Sequence, residues 1–391
     1  MPKLIASIGV LAITATLLFG LIGVQSVEAG SRGIWISAAE LDLLPTSGAA
    51  WNALVTAASA TPIAGNATLI DQDSVHSRNT MAAALYAART NSAAARTKVR
   101  DAIRLVKGTE LSSELTSNRL LQLGRNLPGY VIAADLIDLK AFDPTFDAQF
   151  RVWIGALRTK VFSGHFQTIA NADEHDAANW GAYDGAARAA IAAYLGDTAD
   201  LARSAAALKS FTGEVRDGRW DFGSNVHDMS WQCTYPNEAG YLAVNASCSR
   251  DGNNADGFMA QDMARAGAYQ WPPIMTHYAR ENLTGRVVQA EILRRAGYPN
   301  VYAWGGRAFL RAAAALRRLD QFDDGWFEPD ALVHRIIATR LSITTWGLAS
   351  NSRGRAVAGV DWTHIPGSPQ TAPPPVATAA PPATTAPTAT T

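Results

Sequence analysis

The stretch D-G-F-M-A-Q-D-M-A-R-A-G-A-Y-Q-W-P-P-I-M-T-H-Y-A-R-E-N-L-T-G-R-V-V-Q-A-E-I-L-R-R-A-G-Y, residues 256–298, organises the chain around it. Two helical patterns are separated by Trp-Pro-Pro at 271–273, because each proline removes an amide donor and restricts the residue before it. We expect Arg265 to end the first helix and Tyr278 to begin the second. A cation and a phenol should therefore lie where the backbone leaves helical geometry.

Helical periodicity extends outward from this stretch over most of the sequence. Ala-rich runs with apolar residues three and four apart are interrupted by turns containing Gly, Pro or Asp, and strand-like alternation is scarce. Consecutive helices joined by short turns form antiparallel hairpins. We therefore expect an all-α fold, an incomplete (α/α) toroid with long loops lining a cleft, and not a TPR or HEAT solenoid, since no such repeat is visible. The predicted helices are 47–59, 78–90, 92–107, 114–139, 144–161, 179–195, 198–211, 256–266, 280–296, 304–319 and 330–341.

Local chemistry marks several boundaries within this pattern. Asp197 can cap the helix that follows it, and Gly297 with Pro299 should stop the helix before them. Residues 33–37, Gly-Ile-Trp-Ile-Ser, look extended. Residues 213–257 are dense in Gly, Asn and aromatic side chains, and a loop of that length within a domain is usually functional.

The two ends of the chain differ from its middle. Residues 4–24 are apolar and uncharged and precede a small-residue site at Ala29, so we expect a signal peptide at 1–29. The apolar run approaches the roughly 20 residues that span a bilayer, so an uncleaved anchor is the alternative. Residues 30–366 form the predicted toroid domain, and the Pro/Thr/Ala-rich residues 367–391 form a disordered tail.

Charge and motif content exclude several function classes. Lys plus Arg (34) balance Asp plus Glu (34), so nothing argues for a nucleic-acid partner. No Walker A loop, HExxH, GxSxG or strand-linked GxGxxG is present, and we expect no metal and no cofactor. Cys233 and Cys248 are close in sequence, and in an oxidising compartment they can close a disulfide. A two-cysteine zinc site is the weaker interpretation, because no paired CxxC or HxxxH accompanies them.

Three polar clusters are candidates for chemistry. Asn179 and Tyr183 are four residues apart and share a helix face near its N-terminus, although a cap and a core aromatic would explain them equally well. Arg125 and Asn126 lie in G-R-N-L-P-G-Y, where a buried network is the structural alternative. Arg265 could equally be a structural arginine at a helix end.

Four stretches carry a family resemblance: L-G-R-N-L-P-G-Y-V-I-A-A-D-L-I-D-L (123–139), N-W-G-A-Y-D-G-A-A-R (179–188), D-G…D-M-A-R-A-G…H-Y…N-L (256–283) and V-D-W-T-H (360–364). Together they resemble the alginate lyase family, helical toroid enzymes that act on polyuronic acids, and especially its exported branch. They span most of 120–365. The combination is more specific for the fold than for the substrate.

The resemblance implies roles for particular residues. The family's carboxylate-facing arginine falls at Arg265 and its catalytic tyrosine at Tyr278, with a longer Trp-Pro-Pro insertion between them here. Its Asn-Asn-His cluster falls on 178–180, so only Asn179 is kept. Tyr183 or His175 is expected to stand in for the histidine.

The implied reaction is β-elimination on an acidic polysaccharide by a monomer with no stable membrane partner unless the N-terminal segment is retained. Asn179 and Arg265 would stabilise the charge developing on the substrate carboxylate. Tyr278 would act as base and acid, contributing about 10²- to 10⁴-fold. His175 is the reserve base, ahead of His277 and His227. The substrate contacts are expected to come from Arg125, Asn126, Trp180, Trp231, Tyr269, Trp271, His277 and Arg280.

Two other classes of function remain open from the residues alone. A toroid glycoside hydrolase would use a pair of carboxylates drawn from Asp217, Asp221, Asp228 and Asp256. A non-catalytic glycan-binding protein would use Trp231, Trp271 and Tyr269 as stacking platforms. Formation of an unsaturated sugar product separates the lyase from both.

Overall fold

Helices provide almost all of the regular structure in a computed structural model that describes residues 33–111, 118–162, 165–220, 229–233, 241–322, 331–346 and 355–365. These residues all lie within one unit, Ala29–Val376. The predicted signal peptide or anchor, the C-terminal tail, and Asp221, His227 and Asp228 lie outside the described residues. No helix in the described ranges is long and apolar enough to cross a membrane.

Fifteen α-helices and one short hairpin are present in the described ranges, so the all-α prediction is confirmed. The strands β1 (Ser249–Arg250) and β2 (Asn253–Asn254) pair antiparallel. Single 3-10 turns occur at Thr109–Leu111, Met229–Trp231, Ala264–Ala266 and Val301–Ala303. The helices are α1 Ala38–Leu43, α2 Ala49–Ser59, α3 His76–Thr90, α4 Ala93–Val106, α5 Arg119–Leu136, α6 Leu139–Phe142, α7 Pro144–Leu157, α8 Ile169–His175, α9 Asn179–Leu195, α10 Thr198–Thr212, α11 Ala260–Met263, α12 Tyr278–Arg295, α13 Trp304–Leu319, α14 Ala331–Leu341 and α15 Val360–Thr363.

Most helix positions agree with the sequence prediction, and the differences have local causes. The predicted helix 114–139 divides into α5 and α6, because Asp138 adopts a left-handed conformation (φ 50°) and caps α6. The predicted helix 256–266 is reduced to α11 and a 3-10 turn. α1, α8 and α15 were not predicted, since each has only four to seven residues and shows too little periodicity.

Two predicted helix boundaries are confirmed. Asp197 accepts a hydrogen bond from the Asp200 amide at 3.0 Å and caps α10. α12 ends at Arg295, directly before the Gly297 region.

The extended segment 33–37 is held without a sheet. The backbone amides of Gly33 and Ile34 donate to one oxygen of Asp135 at 2.9 and 3.1 Å. A buried carboxylate therefore accepts the backbone hydrogen bonds that a neighbouring strand would otherwise accept.

The packing order of the helices returns to its starting point. α3 packs on α2, α5 packs on α3, α9 on α5, and α12 on α9. From α12 the contacts pass to α14, then to α15, which packs on α2. Trp362 of α15 lies 5.2 Å from Trp51 of α2, and its indole donates to Pro45 O at 2.8 Å. Aromatic contacts thus join the last described helix to the first long one.

Glycines allow α5 and α12 to approach α9 from two sides. A Cβ on Gly124 of α5 would lie 2.8 Å from the carbonyl carbon of Tyr183. A Cβ on Gly285 of α12 would lie 2.6 Å from the carbonyl carbon of Ala182. Both distances are too short for real atoms, so no larger residue fits without displacing the backbone. Tyr183 is consequently enclosed between the two neighbouring helices.

The disulfide prediction is confirmed. Cys233 and Cys248 are bonded, with Cα atoms 6.3 Å apart. The bridge ties the segment around Trp231 to the β1–β2 hairpin. Its presence is compatible with an oxidising compartment outside the cytoplasm.

Candidate active site at the start of helix α12

Arg265 and Tyr278 meet beside the start of α12. Arg265 lies in the 3-10 turn after α11, and the chain then runs without regular helix until Tyr278, the first residue of α12. The guanidinium carbon of Arg265 lies 4.1 Å from the centre of the Tyr278 ring. Such a contact is worth about 0.5–1 kcal/mol at an exposed site, and Tyr278 is 38% exposed. A cation and a solvent-accessible phenol are therefore held together, as the sequence predicts.

Two buried carboxylates, Asp262 and Asp176, interact electrostatically with Arg265. Asp262 of α11 accepts hydrogen bonds from the Asn282 amide group at 2.7 Å and from the Asn179 backbone at 3.4 Å. Burial raises the pKa of Asp262 to about 7, against the opposing effects of the Asn282 hydrogen bond and the Arg265 charge. Burial also raises the pKa of Asp176, which the Arg265 charge again opposes. The guanidinium thus contacts the Tyr278 ring and also feels the charge of two buried carboxyl groups.

Asp176, and not Asn179, caps the N-terminus of α9. Its two carboxylate oxygens accept from the Ala178 amide at 2.8 Å and from the Gly181 amide at 3.2 Å. Asn179 is fully buried, and neither polar atom of its side chain has a hydrogen-bond partner among the described residues. The expectation that Asn179 faces the substrate is therefore corrected, because contact would require the groups covering it to move.

Tyr183 also differs from its expected role. It is fully buried, and its hydroxyl donates to Oε2 of Glu281 at 2.6 Å. Nη2 of Arg125 donates to the same oxygen at 2.9 Å, and its guanidinium lies 5.2 Å from the Tyr183 ring centre. Nε of Arg355 lies 3.1 Å from the other oxygen, Oε1. Tyr183 therefore anchors a charged network and presents no face to solvent.

A cavity of about 250 Å³ opens on the outer side of this network. Arg125, predicted to bind substrate, is one of its lining residues. Its neighbour Asn126 is not, because it is 1% exposed and its side chain donates to the carbonyls of Asp71 and Gln122. The cavity is lined by Gln72, Asp73, Ser74, Ser77, Arg78, Arg125, Arg355 and Ala356.

The three aromatic residues predicted as stacking platforms differ in burial and in the contacts of their rings. Trp231 is 2% exposed, and its indole donates to Gly267 O at 2.8 Å, so it has no open ring face and the prediction for it is wrong. Tyr269 is half-buried against Trp231, with ring centres 4.9 Å apart. Trp271 is half-buried and meets Phe322 edge-on at 5.3 Å. Trp180 is also half-buried and packs over Tyr183.

The two described histidines among the candidate bases, His175 and His277, have different surroundings. Nδ1 of His175 lies 2.7 Å from Arg219 O. Because a carbonyl only accepts, Nδ1 carries hydrogen, so in the neutral ring Nε2 is the basic nitrogen. His277 is exposed, and its Nδ1 lies 3.3 Å from Nη2 of Arg280. His277 directly precedes Tyr278 and Arg280 follows it by two residues, whereas His175 ends α8.

The carboxylates suggested for glycoside hydrolysis have other partners. Asp217 forms an ion pair with Arg219 and accepts from Ser210 Oγ at 2.7 Å. Asp256 lies 3.1 Å from Nε of Arg311 and accepts from the Ser247 amide at 2.9 Å. Among the described residues, no group of three or more His, Cys, Asp or Glu side chains is arranged to hold a metal ion.

Comparison with protein-family models, with curated proteins and with solved structures finds no match to this chain. The resemblance to alginate lyases therefore depends on the quoted motifs alone.

Proposed function

We propose that this protein is a polysaccharide lyase that cleaves a uronic-acid polymer by β-elimination. The observation that carries the proposal is the contact between Arg265 and the exposed ring of Tyr278. These two residues occupy the places of the carboxylate-facing arginine and the catalytic tyrosine in the quoted motifs. Twelve residues separate them in sequence, and only Ala266, the end of the 3-10 turn, is helical, so their sequence separation would not by itself bring them together.

The chemistry divides between the two side chains. The Arg265 guanidinium would pair with the carboxylate of the sugar, and this pairing stabilises the negative charge that develops when the C5 proton is removed. The Tyr278 oxygen would accept that proton. The electron pair left at C5 forms the C4–C5 double bond, and the glycosidic oxygen at C4 departs with the proton that Tyr278 took from C5. Asn179 and Tyr183 are assigned no direct contact with substrate, because both are fully buried.

Surrounding features support the same proposal. The predicted (α/α) toroid is consistent with the helix contacts that run from α2 through α12 and α14 back to α2 by way of α15. Arg280 and His277 add polar groups beside Tyr278. The Cys233–Cys248 disulfide supports export, where an extracellular polysaccharide would be met.

The test is the ultraviolet absorbance of the unsaturated product, measured with polymannuronate, polyguluronate and glucuronan. Tyr278→Phe is expected to lower the rate by about 10²- to 10⁴-fold, since it removes the proton acceptor. Tyr298→Phe is the matched control, because Tyr298 lies just beyond the opposite end of α12. An unchanged rate in Tyr278→Phe would show that the mechanism is wrong.

A non-catalytic glycan-binding protein is the second candidate. It is favoured by the apolar groups near Trp271, where Ile274 is 52% exposed and Phe322 is 42% exposed. Exposed aromatic and aliphatic faces stack on sugar rings without any need for acid or base groups. Binding of all three polymers with no rise in absorbance, lost in Trp271→Ala, would favour this function.

A further inference from the structure

The cavity beside α3 and α5 has a cationic lining. Three arginines and one aspartate line it, a net charge of +2, which Glu281 behind two of the arginines reduces to +1. The side chains come from the segment before α3, from α3 and α5, and from the segment after residue 354. Gln72, Ser74 and Ser77 add neutral polar groups. This composition suits a small anion that also carries hydroxyl groups.

Two of the arginines, Arg125 and Arg355, are held in place from behind by Glu281. One of its oxygens receives Arg125, and the other lies 3.1 Å from Arg355. Tyr183 donates to Glu281 from the buried side at 2.6 Å. The guanidinium groups are therefore preorganised, so a ligand would not need to order them.

Asp73 occupies the outer side of Arg355. Its Oδ1 lies 2.7 Å from Nη1 of Arg355, and its side chain is 66% exposed, compared with 35% for Arg355. The hydrogen bond from Arg355 lowers the pKa of Asp73, so this carboxylate is negatively charged at neutral pH. The protein thus supplies its own carboxylate at a place that solvent reaches.

Glu281 links the cavity to the helix that carries Tyr278. Glu281 follows Tyr278 by three residues on α12, a spacing that places Cβ atoms about 5–6 Å apart on one helix face. Trp180 packs against the small cluster of Leu121, Tyr183 and Ala356, and Ala356 belongs to the cavity lining. Glu281 thus connects the arginines of the cavity to the first turn of α12, which begins at Tyr278.

We propose that this cavity is a carboxylate-binding subsite for an acidic sugar unit next to the one that Tyr278 attacks. Asp73 forms an ion pair with Arg355 until the carboxylate of that sugar unit displaces it. The inference rests on the proposed function. A volume of about 250 Å³ is below the range of drug-sized pockets and suits a single sugar acid. Arginine forms paired hydrogen bonds with a carboxylate, which a neutral sugar does not provide.

Calorimetric titration of the full chain with D-glucuronate, D-glucose and acetate tests the proposal. The wild-type protein is expected to bind glucuronate more tightly than either glucose or acetate. Arg355→Gln is expected to weaken glucuronate binding by about tenfold or more. Asp73→Asn is expected to strengthen it by about two- to fivefold, because it removes an exposed competing charge.

Asp101→Asn is the matched control, since Asp101 forms an exposed ion pair with Arg100 on α4; it should leave binding unchanged. Absence of glucuronate binding, equal binding of glucose or acetate, or unchanged affinity in Asp73→Asn would each overturn the subsite. Cleavage is not needed for this readout, so glucuronate binding is measured independently of any lyase activity. A failure of the lyase proposal is thereby distinguished from a failure of the subsite.

Discussion

Gly285→Ala provides a quantitative test of the packing that shapes the site. The new Cβ would lie 2.6 Å from the Ala182 carbonyl carbon and 2.8 Å from the Tyr183 nitrogen. These are backbone atoms, which cannot rotate away, so α9 and α12 must separate. Overpacking costs about 1–3 kcal/mol and occasionally more, and the backbone contacts place this case at the upper end. Alanine recovers about 1 kcal/mol of helix propensity, so we expect a net loss of about 2 kcal/mol.

Gly155→Ala is the matched control for this substitution. Gly155 lies within α7, and a Cβ there would meet only the Leu195 side chain at an ordinary 3.5 Å. The same change should therefore increase stability by about 0.5–1 kcal/mol. Urea unfolding monitored by circular dichroism measures both midpoints. A midpoint for Gly285→Ala equal to or above that of the wild type would refute the close-packing argument.

Three further substitutions test other parts of the structure. Replacing Cys233 and Cys248 together by serine should cost about 3 kcal/mol of unfolding free energy, measured in urea, because the bridge closes a loop with a sequence separation of 15. Asp176→Ala should lower the thermal midpoint, with a cost of about 1–2 kcal/mol for losing the cap of α9, while Asp176→Asn should lose less. Burial lowers the pKa of His364 to about 4 from 6.5, so the unfolded chain binds a proton that the native chain excludes. The free energy of unfolding is therefore unaffected by His364 above pH 6.5 and decreases as the pH falls from 6.5 toward 4. His364→Gln should flatten that part of a stability profile measured at successive pH values.

The sequence predicted the helices better than the site. Helix periodicity and short-range capping depend on residues within one or two turns, and α9, α10 and α12 accordingly begin within two residues of their predicted starts. The contact between Arg265 and Tyr278 was also predicted, because both flank the Trp-Pro-Pro break.

Burial of polar groups was the main source of error. Asn179 and Tyr183 share a helix face, but that face lies between α5 and α12 and not in an open cleft. Glu281 and Asp262 were missed, because a carboxylate within a helix shows nothing in sequence about distant partners. The nearest available signal was the glycine in each neighbouring helix, Gly124 and Gly285, which indicates close approach of backbones.

Sequence alone therefore determined the all-α class, the disulfide pair and the place where a cation and a phenol meet, since each depends on local spacing or on composition. Only the tertiary structure decided that Glu281 joins Arg125 to Arg355. Those arginines are 230 positions apart in sequence, and no local pattern relates them. Their meeting depends on how α5, α12 and the segment near residue 355 pack around α9. Packing of that kind results from steric fit over the whole helix surface and from the avoidance of unpaired buried charge.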